Sequence, residues 1–469
     1  SLTLICYEIF KTLNKKNFRM KSHNLKISSK SKIISFVSRL KNLLDKKDFF
    51  ETLSNEIRVF LKQNNIKSKI RYNHKVKSLS WSSETARWTL KIEVNGQSKV
   101  MESNFVMSCT GYYNYDKGYQ PEFKNKEAFK GDFIHPQHWP KDYDYSNKKI
   151  VVIGSGATAV TLIPSLAEKA KHVTMLQRSP TYVAARPQTD TLLKLMYLFM
   201  PKSWVARFAR ARNLFLAAFF YKYMIKNPEK GKALLRKNID KHLSKDIDRK
   251  HFTPKYNPWD QRLCVVPDAD LFEAFNNGSA SIKTEHIEEF NETGIQLKNG
   301  EHLDADLIVS ATGLNVSLMS GMDIVVDEKP VELSEKMFYR GILLEDVPNF
   351  GYIFGYTNSS WTLKAELVSQ YVCRVINHMQ NTQRPICIPK DTKNSKRELF
   401  LNLSSGYVVR AQQQIPKQGS EQPWRLDQDY KMDKRRLHGV AIEDGVLQFS
   451  VTSQESSKAS RDTTKLAQA

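Results

Sequence analysis

Glycine and proline are missing from the start of this 469-residue chain, in which the first glycine is Gly96 and the first proline is Pro121. A glycine-rich turn between a strand and a helix is the usual cradle for the phosphates of a dinucleotide. No such turn can therefore lie before Gly96. The chain also lacks an initiator Met, and we expect it to be a fragment or an incomplete gene product.

Cysteine pairs and long apolar runs are absent as well. The five cysteines form no C-x-x-C motif and their number is odd, which argues against a disulfide scaffold and a structural metal site and favours a reducing compartment. No run of about 18 apolar residues occurs, so a polytopic membrane protein is excluded. No secretory signal opens the chain. We expect a cytoplasmic globular protein.

Acidic residues are too few to balance the basic ones, and the formal net charge is +23. Residues 1–50 carry twelve basic and three acidic side chains, a net charge of +9, and residues 190–250 carry fifteen and five, a net charge of +10. No helix-turn-helix, zinc-finger or RNA-binding motif accompanies this charge, so we expect no specific nucleic-acid partner. A solvated basic face is the simpler interpretation.

Residues 192–226 mix aromatic and basic side chains, and Pro201 divides them into two predicted helices. The residues concerned are Phe208, Leu214, Phe215, Phe219 and Phe220 among Arg207, Arg210, Arg212 and Lys222. This mixture would suit peripheral membrane contact. The alternative is an inserted helical segment whose apolar face packs on the main body, and this is the interpretation that we favour.

Periodicity outlines the rest of the chain. The first part is predicted to contain a helix over 51–66, short strands over 69–110 with a hairpin turn at Asn95-Gly96, and a loop to about residue 147. The later part is predicted to contain strands over 280–313 with a turn at Asn299-Gly300, a helix over about 363–380, and a disordered tail from residue 453.

Residues 149–177 form the clearest unit, with a buried strand, a glycine-opened helix and a second buried strand. The turn Gly154-Ser155-Gly156-Ala157-Thr158-Ala159 matches G-x-G-x-x-A. In such a motif Gly154 permits the tight turn, Gly156 lets the backbone approach a pyrophosphate, and Ala159 lets the helix pack on the strand. The second strand ends at Gln177-Arg178-Ser179 instead of an acid. A cation at Arg178 favours the 2′-phosphate of NADP over the ribose of NAD.

A short internal echo links two distant segments. FVMSCTG at 105–111 and LIVSATG at 307–313 share three apolar residues, Ser, a small residue, Thr and Gly. Each copy follows a small hairpin. The echo indicates two structural units of similar architecture, or one returning segment for each of two nucleotide domains.

The stretch before the nucleotide motif reads F-x-G-x-x-x-H-x-x-x-W-P, with Phe129, Gly131, His135 and Trp139 at its fixed positions. It resembles the fingerprint of Baeyer–Villiger monooxygenases. The segments CTGYYNYDKGYQPEF, MLQRSPTYV, YNPWDQRLCVVPDADLF and GYTNSSWTLKAELV resemble the flavin-containing monooxygenases of the ethionamide-activating subgroup. The likeness extends from about residue 55 to about residue 450.

The resemblance implies an α/β, Rossmann-like flavoprotein with two dinucleotide-binding domains, one for FAD and one for NADPH. In that family NADPH reduces the flavin, and O2 adds to it as a C4a-peroxide. This species inserts one oxygen atom into a ketone or oxidises a sulfur or nitrogen centre. The expected substrate is thus a small ketone or a sulfur-containing compound. A flavin-dependent reductase without oxygen insertion is disfavoured by the fingerprint.

The resemblance also assigns residues. Arg262 in WDQRLC matches the catalytic Arg, whose charge steadies the reacting oxygen atoms; taken alone, it would be a loop residue in a surface ion pair. The residue before it, which is often basic in relatives, is Gln261 here, and this puts cofactor contacts at that point in doubt. Thr110-Gly111 and Thr312-Gly313 resemble the short strands that cross between the nucleotide domains and approach the cofactors. His135 and Trp139 are expected to control domain motion, without a role for His135 as a base.

The chain departs from the family in its first part. Relatives begin with an FAD-binding strand, a glycine-rich turn and a helix, whereas no glycine lies before Gly96 here. The acid that binds the FAD ribose and the Asp that partners the catalytic Arg would lie there too. We therefore expect a truncated FAD domain. Two interpretations stay open, an NADPH- and FAD-dependent monooxygenase or a catalytically inactive NADP-binding remnant of one.

The predicted domains follow from these boundaries. They are an atypical basic segment (1–50), the remainder of the FAD domain with a linker (51–146), an NADP-binding domain (147–315) with a basic helical insertion (190–250), a return segment that completes the FAD domain (316–452) and the tail (453–469).

Overall fold

A computed structural model describes residues 59, 61–401 and 403–452. The basic segment 1–50, most of the predicted helix over 51–66 and the tail from residue 453 lie outside them. The helices of eight residues or more and two shorter ones are α1 (Ala157–Ala167), α2 (Thr191–Phe199), α3 (Lys202–Lys226), α4 (Pro228–His242), α5 (Asp270–Asn276), α6 (Trp361–Thr382), α7 (Gly406–Ala411) and α8 (Tyr430–His438).

The strands are distributed along the described chain. Up to residue 186 they are β1 (His74–Ser82), β2 (Arg87–Val94), β3 (Gln97–Ser103), β4 (Val106–Ser108), β5 (Tyr113–Gly118), β6 (Asp132–Ile134), β7 (Lys149–Ile153), β8 (His172–Gln177) and β9 (Val183–Arg186). From there to residue 326 they are β10 (Cys264–Pro267), β11 (Ala280–Thr284), β12 (Ile287–Asn291), β13 (Gly294–Leu297), β14 (His302–Asp304), β15 (Leu307–Ser310), β16 (Leu314–Val316) and β17 (Asp323–Val326). The last are β18 (Lys329–Pro330), β19 (Phe338–Tyr339), β20 (Leu343–Leu344), β21 (Phe350–Tyr352), β22 (Ile386–Pro389), β23 (Arg397–Leu399), β24 (Lys417–Gly419) and β25 (Leu447–Ser450).

A parallel five-stranded sheet in the order β11-β8-β7-β15-β6 forms the centre of one unit. β7 and β8 are apolar and buried along most of their length, as expected for parallel strands covered on both faces. α1 connects them and buries Ala159, Val160, Ile163 and Leu166. The predicted strand–helix–strand unit is therefore confirmed. From β7 the chain proceeds to one side through β8 and β11, while β15 lies on the other side. A sheet of this kind binds ligands at the carboxyl ends of its strands, where the order reverses.

A second unit contains a five-stranded sheet in the order β18-β17-β1-β2-β3 and a four-stranded sheet in the order β19-β20-β21-β4. Asn95 and Gly96 both have positive φ angles, 51° and 80°, and β2 pairs with β3 directly across them. These angles suit a tight hairpin whose twist matches its strands, and the predicted hairpin is confirmed. β17 pairs with β1 and β21 with β4. Residues after 316 thus complete sheets that residues 74–108 begin.

A three-stranded meander, β12-β13-β14, precedes β15. Gly300 has φ +85° at the turn between β13 and β14, where the sequence predicts it. The predicted helix over about 363–380 is also confirmed, as α6. It buries one apolar face that includes Leu367, Val368 and Val375.

The predicted loop up to residue 147 is wrong at two places. β6 adds to the parallel sheet beside β15, and β5 pairs antiparallel with β16. β6 is three residues long, so it shows no periodicity. β5 is largely exposed and polar, and a two-stranded ribbon of this kind has no buried face to mark it in the sequence.

Pro201 divides residues 192–226 into α2 and α3, as predicted. The favoured interpretation, in which the apolar face of this segment packs on the main body, is wrong for most of its large side chains. α3 buries Val205 and Met224, whereas Trp204 and Phe215 are 64% and 67% exposed. Within the described ranges, no helix combines the length and apolarity needed to cross a bilayer.

Candidate functional site

The glycine turn lies at the carboxyl end of β7, beside the segment that follows β15. Gly154 has φ +136°, and a Cβ there would stand 2.3 Å from the carbonyl oxygen of Ala311. Only glycine fits this close approach. The turn therefore meets the SATG segment at the point where the strand order reverses.

The start of α1 is open to an anion. Gly156 is the N-cap residue and no side chain caps the helix, so the first backbone N–H groups have no intrahelical partner. A Cβ at Gly156 would meet nothing within 4 Å. Thr158 is exposed in the first turn, and Ala159 is completely buried against the sheet. Helix N-termini of this form bind phosphate groups.

Arg178 and Ser179 lie next to this turn, at the end of β8, and both are exposed. Ser155 donates from its Oγ to the carbonyl oxygen of Ser179 at 3.3 Å and lies 2.7 Å from the hydroxyl of Thr181. These contacts tie the glycine turn to the Arg178 loop. The preceding Gln177 is buried, and its amide donates to the carbonyl of His251 and the hydroxyl of Thr284. The Gln177 side chain is thus structural, and Arg178 carries the accessible positive charge.

The internal echo is a repeated geometry. The hydroxyls of Ser108 and Thr110 lie 3.3 Å apart, and those of Ser310 and Thr312 lie 3.0 Å apart. The next residue has a positive φ in each copy, +69° at Gly111 and +112° at Gly313. The two copies belong to different sheets, so the same local geometry recurs in two places of the fold.

A two-stranded ribbon, β5 with β16, connects the two copies because each strand follows one of them. The amide of Tyr119 donates to the carbonyl oxygen of Gly313, and that of Ser317 donates to the carbonyl of Tyr112. The hydroxyl of Thr312 donates to the carbonyl oxygen of Tyr119 at 2.8 Å. Thr110-Gly111 and Thr312-Gly313 thus flank the crossing between the two units.

Three of the four fingerprint residues pack on the sheet unit. Phe129 packs edge-on against Phe290, with ring centroids 6.4 Å apart. A Cβ at Gly131 would stand 2.6 Å from the carbonyl oxygen of Asp306, so glycine permits this approach. Trp139 packs edge-on against Tyr143 and Tyr145. These contacts hold the linker in place and involve no reactive group.

His135, the fourth fingerprint residue, reaches the crossing ribbon. Its Nε2 lies 3.2 Å from the carbonyl oxygen of Gly313, and its Nδ1 accepts from the backbone amide of Gln137 at 3.2 Å. The imidazole packs over Gly118, where a Cβ would stand 2.1 Å from the ring. Since both ring nitrogens are used structurally, His135 is placed to position the ribbon.

Arg262 lies in the loop before β10. Its Nε is buried and has no hydrogen-bond partner in the described part of the chain. The loop is fixed by Ser404, whose amide and hydroxyl both donate to the carbonyl oxygen of Asp260, at 2.9 and 3.0 Å. The surface ion pair that the sequence alone suggests for Arg262 is not found among the described residues.

Three tyrosines, Tyr112, Tyr113 and Tyr407, lie close enough to Arg262 for its charge to act on their hydroxyls. The hydroxyls of Tyr112 and Tyr113 lie 2.5 Å apart, and Tyr112 stacks on Trp361 at 5.0 Å. Burial raises the pKa of Tyr112, and the Arg262 charge partly opposes this rise. Burial likewise raises the pKa of Tyr407 to about 12. The cluster is a set of neutral hydroxyls beside a permanent cation, directly after Thr110-Gly111.

Sequence reasoning assigned no role to this tyrosine cluster, because its members come from positions 112, 113 and 407 and meet only in the fold. It also missed a buried ion pair between Lys364 and Asp433. These groups are 2.8 Å apart with side chains 6% and 12% exposed, and the hydroxyl of Tyr356 donates to the same carboxylate oxygen at 2.7 Å.

The chain matches a known protein family. Residues 34–405 match the family model described as flavin-binding monooxygenase-like. The chain belongs to this family. The probable FAD-binding monooxygenase AlmA of Acinetobacter baylyi is 45% identical over 388 residues, covering 82% of this chain and 78% of that protein. The FAD-containing monooxygenase EthA of Mycobacterium tuberculosis is 44% identical over 384 residues, covering 81% and 78%. The putative FAD-containing monooxygenase MymA of the same species is also 44% identical, over 398 residues, covering 83% and 80%.

Solved structures share the fold of this monooxygenase-family chain. An oxidised steroid monooxygenase bound to NADP superposes with a TM-score of 0.60 at 19% identity, covering 72% of both chains. The cyclohexanone monooxygenase of Rhodococcus sp. Phi1 bound to NADP+ gives 0.62 at 15% identity, covering 85% of this chain and 84% of that one. The two-dinucleotide-domain flavoprotein fold expected from the sequence is therefore confirmed.

The residues present fit the two cofactors unequally. The open start of α1, the accessible Gly156 and the exposed Arg178 fit the pyrophosphate and 2′-phosphate of NADPH. For FAD, the sequence contains no other G-x-G triplet than Gly154-Ser155-Gly156, so the described residues supply no second turn of this kind. They offer the Thr110-Gly111 crossing and the Arg262 cluster to a flavin, without a pyrophosphate cradle.

Proposed function

We propose that this chain is an NADPH- and FAD-dependent monooxygenase that inserts one oxygen atom from O2 into a ketone or oxidises a sulfur or nitrogen centre. The observation that carries the proposal is the position of Arg262. Arg262 matches the family's catalytic Arg, its buried Nε has no hydrogen-bond partner among the described residues, and it lies beside three neutral hydroxyls at the crossing between two units with the same Ser-x-Thr-Gly geometry. Flavin, when bound, would supply the activation of O2.

The residues of the chain perform the remaining tasks. The first turn of α1 and Arg178 bind NADPH through its phosphates. Arg262 stabilises the negative charge that develops on the oxygen atom of the substrate, and it does so in a site where burial limits screening by water. Tyr112, Tyr113 and Tyr407 remain protonated and can donate hydrogen bonds there. The apolar rings of Trp361 and Phe354, which pack on Tyr112, exclude water from this side of the cluster.

The inactive NADP-binding remnant remains a second candidate, because the absence of glycine before Gly96 favours it. It predicts NADPH binding without flavin and without oxygen transfer. The two candidates differ only in the flavin-dependent steps, so the same preparation tests both.

The test supplies the chain with FAD, NADPH, ¹⁸O2 and either a cyclic ketone or an aryl methyl sulfide. The proposal predicts substrate-dependent NADPH consumption and one labelled oxygen in the product. Arg262→Met should lower product formation by about 10²- to 10³-fold while leaving NADPH affinity unchanged, and the exposed Arg236→Met serves as its control. NADPH binding with no labelled product would instead support the remnant.

A further inference from the structure

The α2–α3 segment presents a concentrated apolar surface to solvent. Among the described residues, 11 of the 21 large hydrophobic side chains classed as exposed lie between Leu192 and Ile225. We define the α2–α3 apolar face by its six members Leu198, Phe199, Trp204, Phe208, Phe215 and Phe219, which are 74%, 81%, 64%, 42%, 67% and 50% exposed. Single exposed apolar residues are ordinary, but a contiguous group marks a surface that binds something.

Helix geometry places these side chains together. Trp204, Phe208, Phe215 and Phe219 are separated by four, seven and four residues, which puts them on one face of α3 at about 3.6 residues per turn. The rings of Phe215 and Phe219 stack at 6.1 Å. Leu198 and Phe199 are the last two residues of α2, just before Pro201 and the start of α3. With the aromatic row of α3 they make up the exposed apolar ridge of this segment.

The opposite side of α3 is fixed to the body of the protein. Val205 and Met224 are buried, and Arg210 pairs with Glu366 at 2.5 Å. Lys222 lies on the same face as the aromatic row and pairs with Asp429 at 2.7 Å, so the exposed row ends at Phe219. The ridge is therefore held outward by contacts on the other side of the helix.

Positive charge accompanies the ridge. Residues 191–226 contain seven Lys and Arg side chains and no Asp or Glu. In the described chain, Lys202, Arg207 and Lys226 are in no ion pair, and they lie before, within and after the row of aromatic residues. A second copy of this face would bring like charges together. Residues 1–50, with a net charge of +9, would be repelled in the same way.

We propose that the α2–α3 apolar face binds the surface of anionic phospholipid membranes. Aromatic and aliphatic side chains enter the boundary between headgroups and acyl chains, while lysine and arginine side chains contact the anionic headgroups. The helices lie on the membrane and do not cross it. This inference does not depend on the oxygenation chemistry.

Vesicle flotation of the full chain tests this proposal. Vesicles of phosphatidylcholine alone are compared with vesicles containing 30% phosphatidylglycerol, each at 25 mM and 500 mM NaCl. At 25 mM NaCl we expect binding to the anionic vesicles to be at least about tenfold tighter than binding to the phosphatidylcholine vesicles, because each cation near the surface adds to the attraction. At 500 mM NaCl binding to the anionic vesicles should weaken. Phe199→Ser/Trp204→Ser should lose binding to both vesicle types. Lys202→Gln/Arg207→Gln/Lys226→Gln should lose the preference for anionic vesicles.

The matched control is Tyr72→Ser/Val100→Ser, which removes two exposed apolar side chains, 58% and 64% exposed, away from α2 and α3. It should float like the wild type. Absence of flotation at low salt, or equal losses in the control, would overturn the proposal. So would a lipid-free oligomer, measured by analytical ultracentrifugation, that Phe199→Ser/Trp204→Ser converts to monomer while flotation is unchanged. Circular dichroism and melting temperature verify that each variant is folded.

Discussion

The imidazole Nε2 of His135 lies 3.2 Å from the carbonyl oxygen of Gly313, and this contact joins the fingerprint linker to the crossing ribbon. Because Nδ1 accepts from the amide of Gln137, the proton is on Nε2, which donates to Gly313. The fingerprint His therefore has a positioning role that geometry alone explains.

Gly118 makes this arrangement possible, and a double-mutant cycle tests it. Gly118→Ala would place a Cβ 2.1 Å from the His135 ring, and we expect a cost of about 1–3 kcal/mol in the free energy of unfolding. In a His135→Ala background the same substitution should cost much less, because the clash is gone. Urea unfolding of the four proteins measures the coupling. Equal costs in both backgrounds would mean that the ring does not lie over Gly118.

Arg178→Ala should weaken NADPH binding by about 10- to 100-fold, as expected for the loss of a charge-assisted hydrogen bond worth roughly 1.5–3 kcal/mol. NADH, which lacks the 2′-phosphate, should bind as before. Isothermal titration of both nucleotides makes the comparison, with the exposed Arg236→Ala as control. Equal losses for the two nucleotides would refute the assignment of Arg178 to the 2′-phosphate.

Alanine substitutions at Gly154 and Gly156, two residues apart, should have different effects on stability and on NADPH binding. Gly156→Ala meets open space, so we expect a folded protein, destabilised by no more than about 1–2 kcal/mol, that loses NADPH affinity because a methyl group stands where the pyrophosphate approaches. Gly154→Ala would bring a Cβ 2.3 Å from the carbonyl oxygen of Ala311 at a φ of +136°, so it should lower the melting temperature. Thermal unfolding and NADPH titration of both variants test this contrast. A fully stable Gly154→Ala would contradict it.

Lys364→Met should destabilise the fold strongly, because it leaves the Asp433 carboxylate buried without its cation. Breaking a buried pair in this way typically costs about 3–5 kcal/mol. Lys130→Met is the matched control, since Lys130 and Glu292 form an exposed pair, 71% and 66% exposed, and should cost about 0–1 kcal/mol. Urea unfolding distinguishes the two. If both variants lost a similarly small free energy of unfolding, water would have to reach Asp433.

The sequence predicts the parts of this protein that depend on neighbouring residues. The β7–α1–β8 unit is visible because its strands are continuous apolar runs and its turn requires glycine. The hairpin at Asn95-Gly96 is visible because few residues adopt its backbone angles. The echo of 105–111 in 307–313 is visible because the two segments share residue types, and the structure gives both the same Ser–Thr contact.

Contacts between residues far apart in the chain could not be predicted from the sequence. Arg262 could be assigned only through resemblance, and its tyrosine neighbours come from segments about 150 residues away on either side. The prediction that the apolar face of α3 packs on the main body is wrong for a related reason. Apolar and basic residues occur on several faces of this helix, so periodicity does not tell which one turns inward. The contacts of Val205 and Met224 decide it.

Monooxygenase function of this chain depends first on flavin binding, and a visible absorption spectrum measures flavin binding directly. The purified chain is incubated with FAD, desalted and scanned, and NADPH binding is measured on the same sample. A flavin monooxygenase should retain FAD in near-stoichiometric amount and bind NADPH. NADPH binding with no retained flavin would contradict the monooxygenase assignment for this chain and favour the NADP-binding remnant.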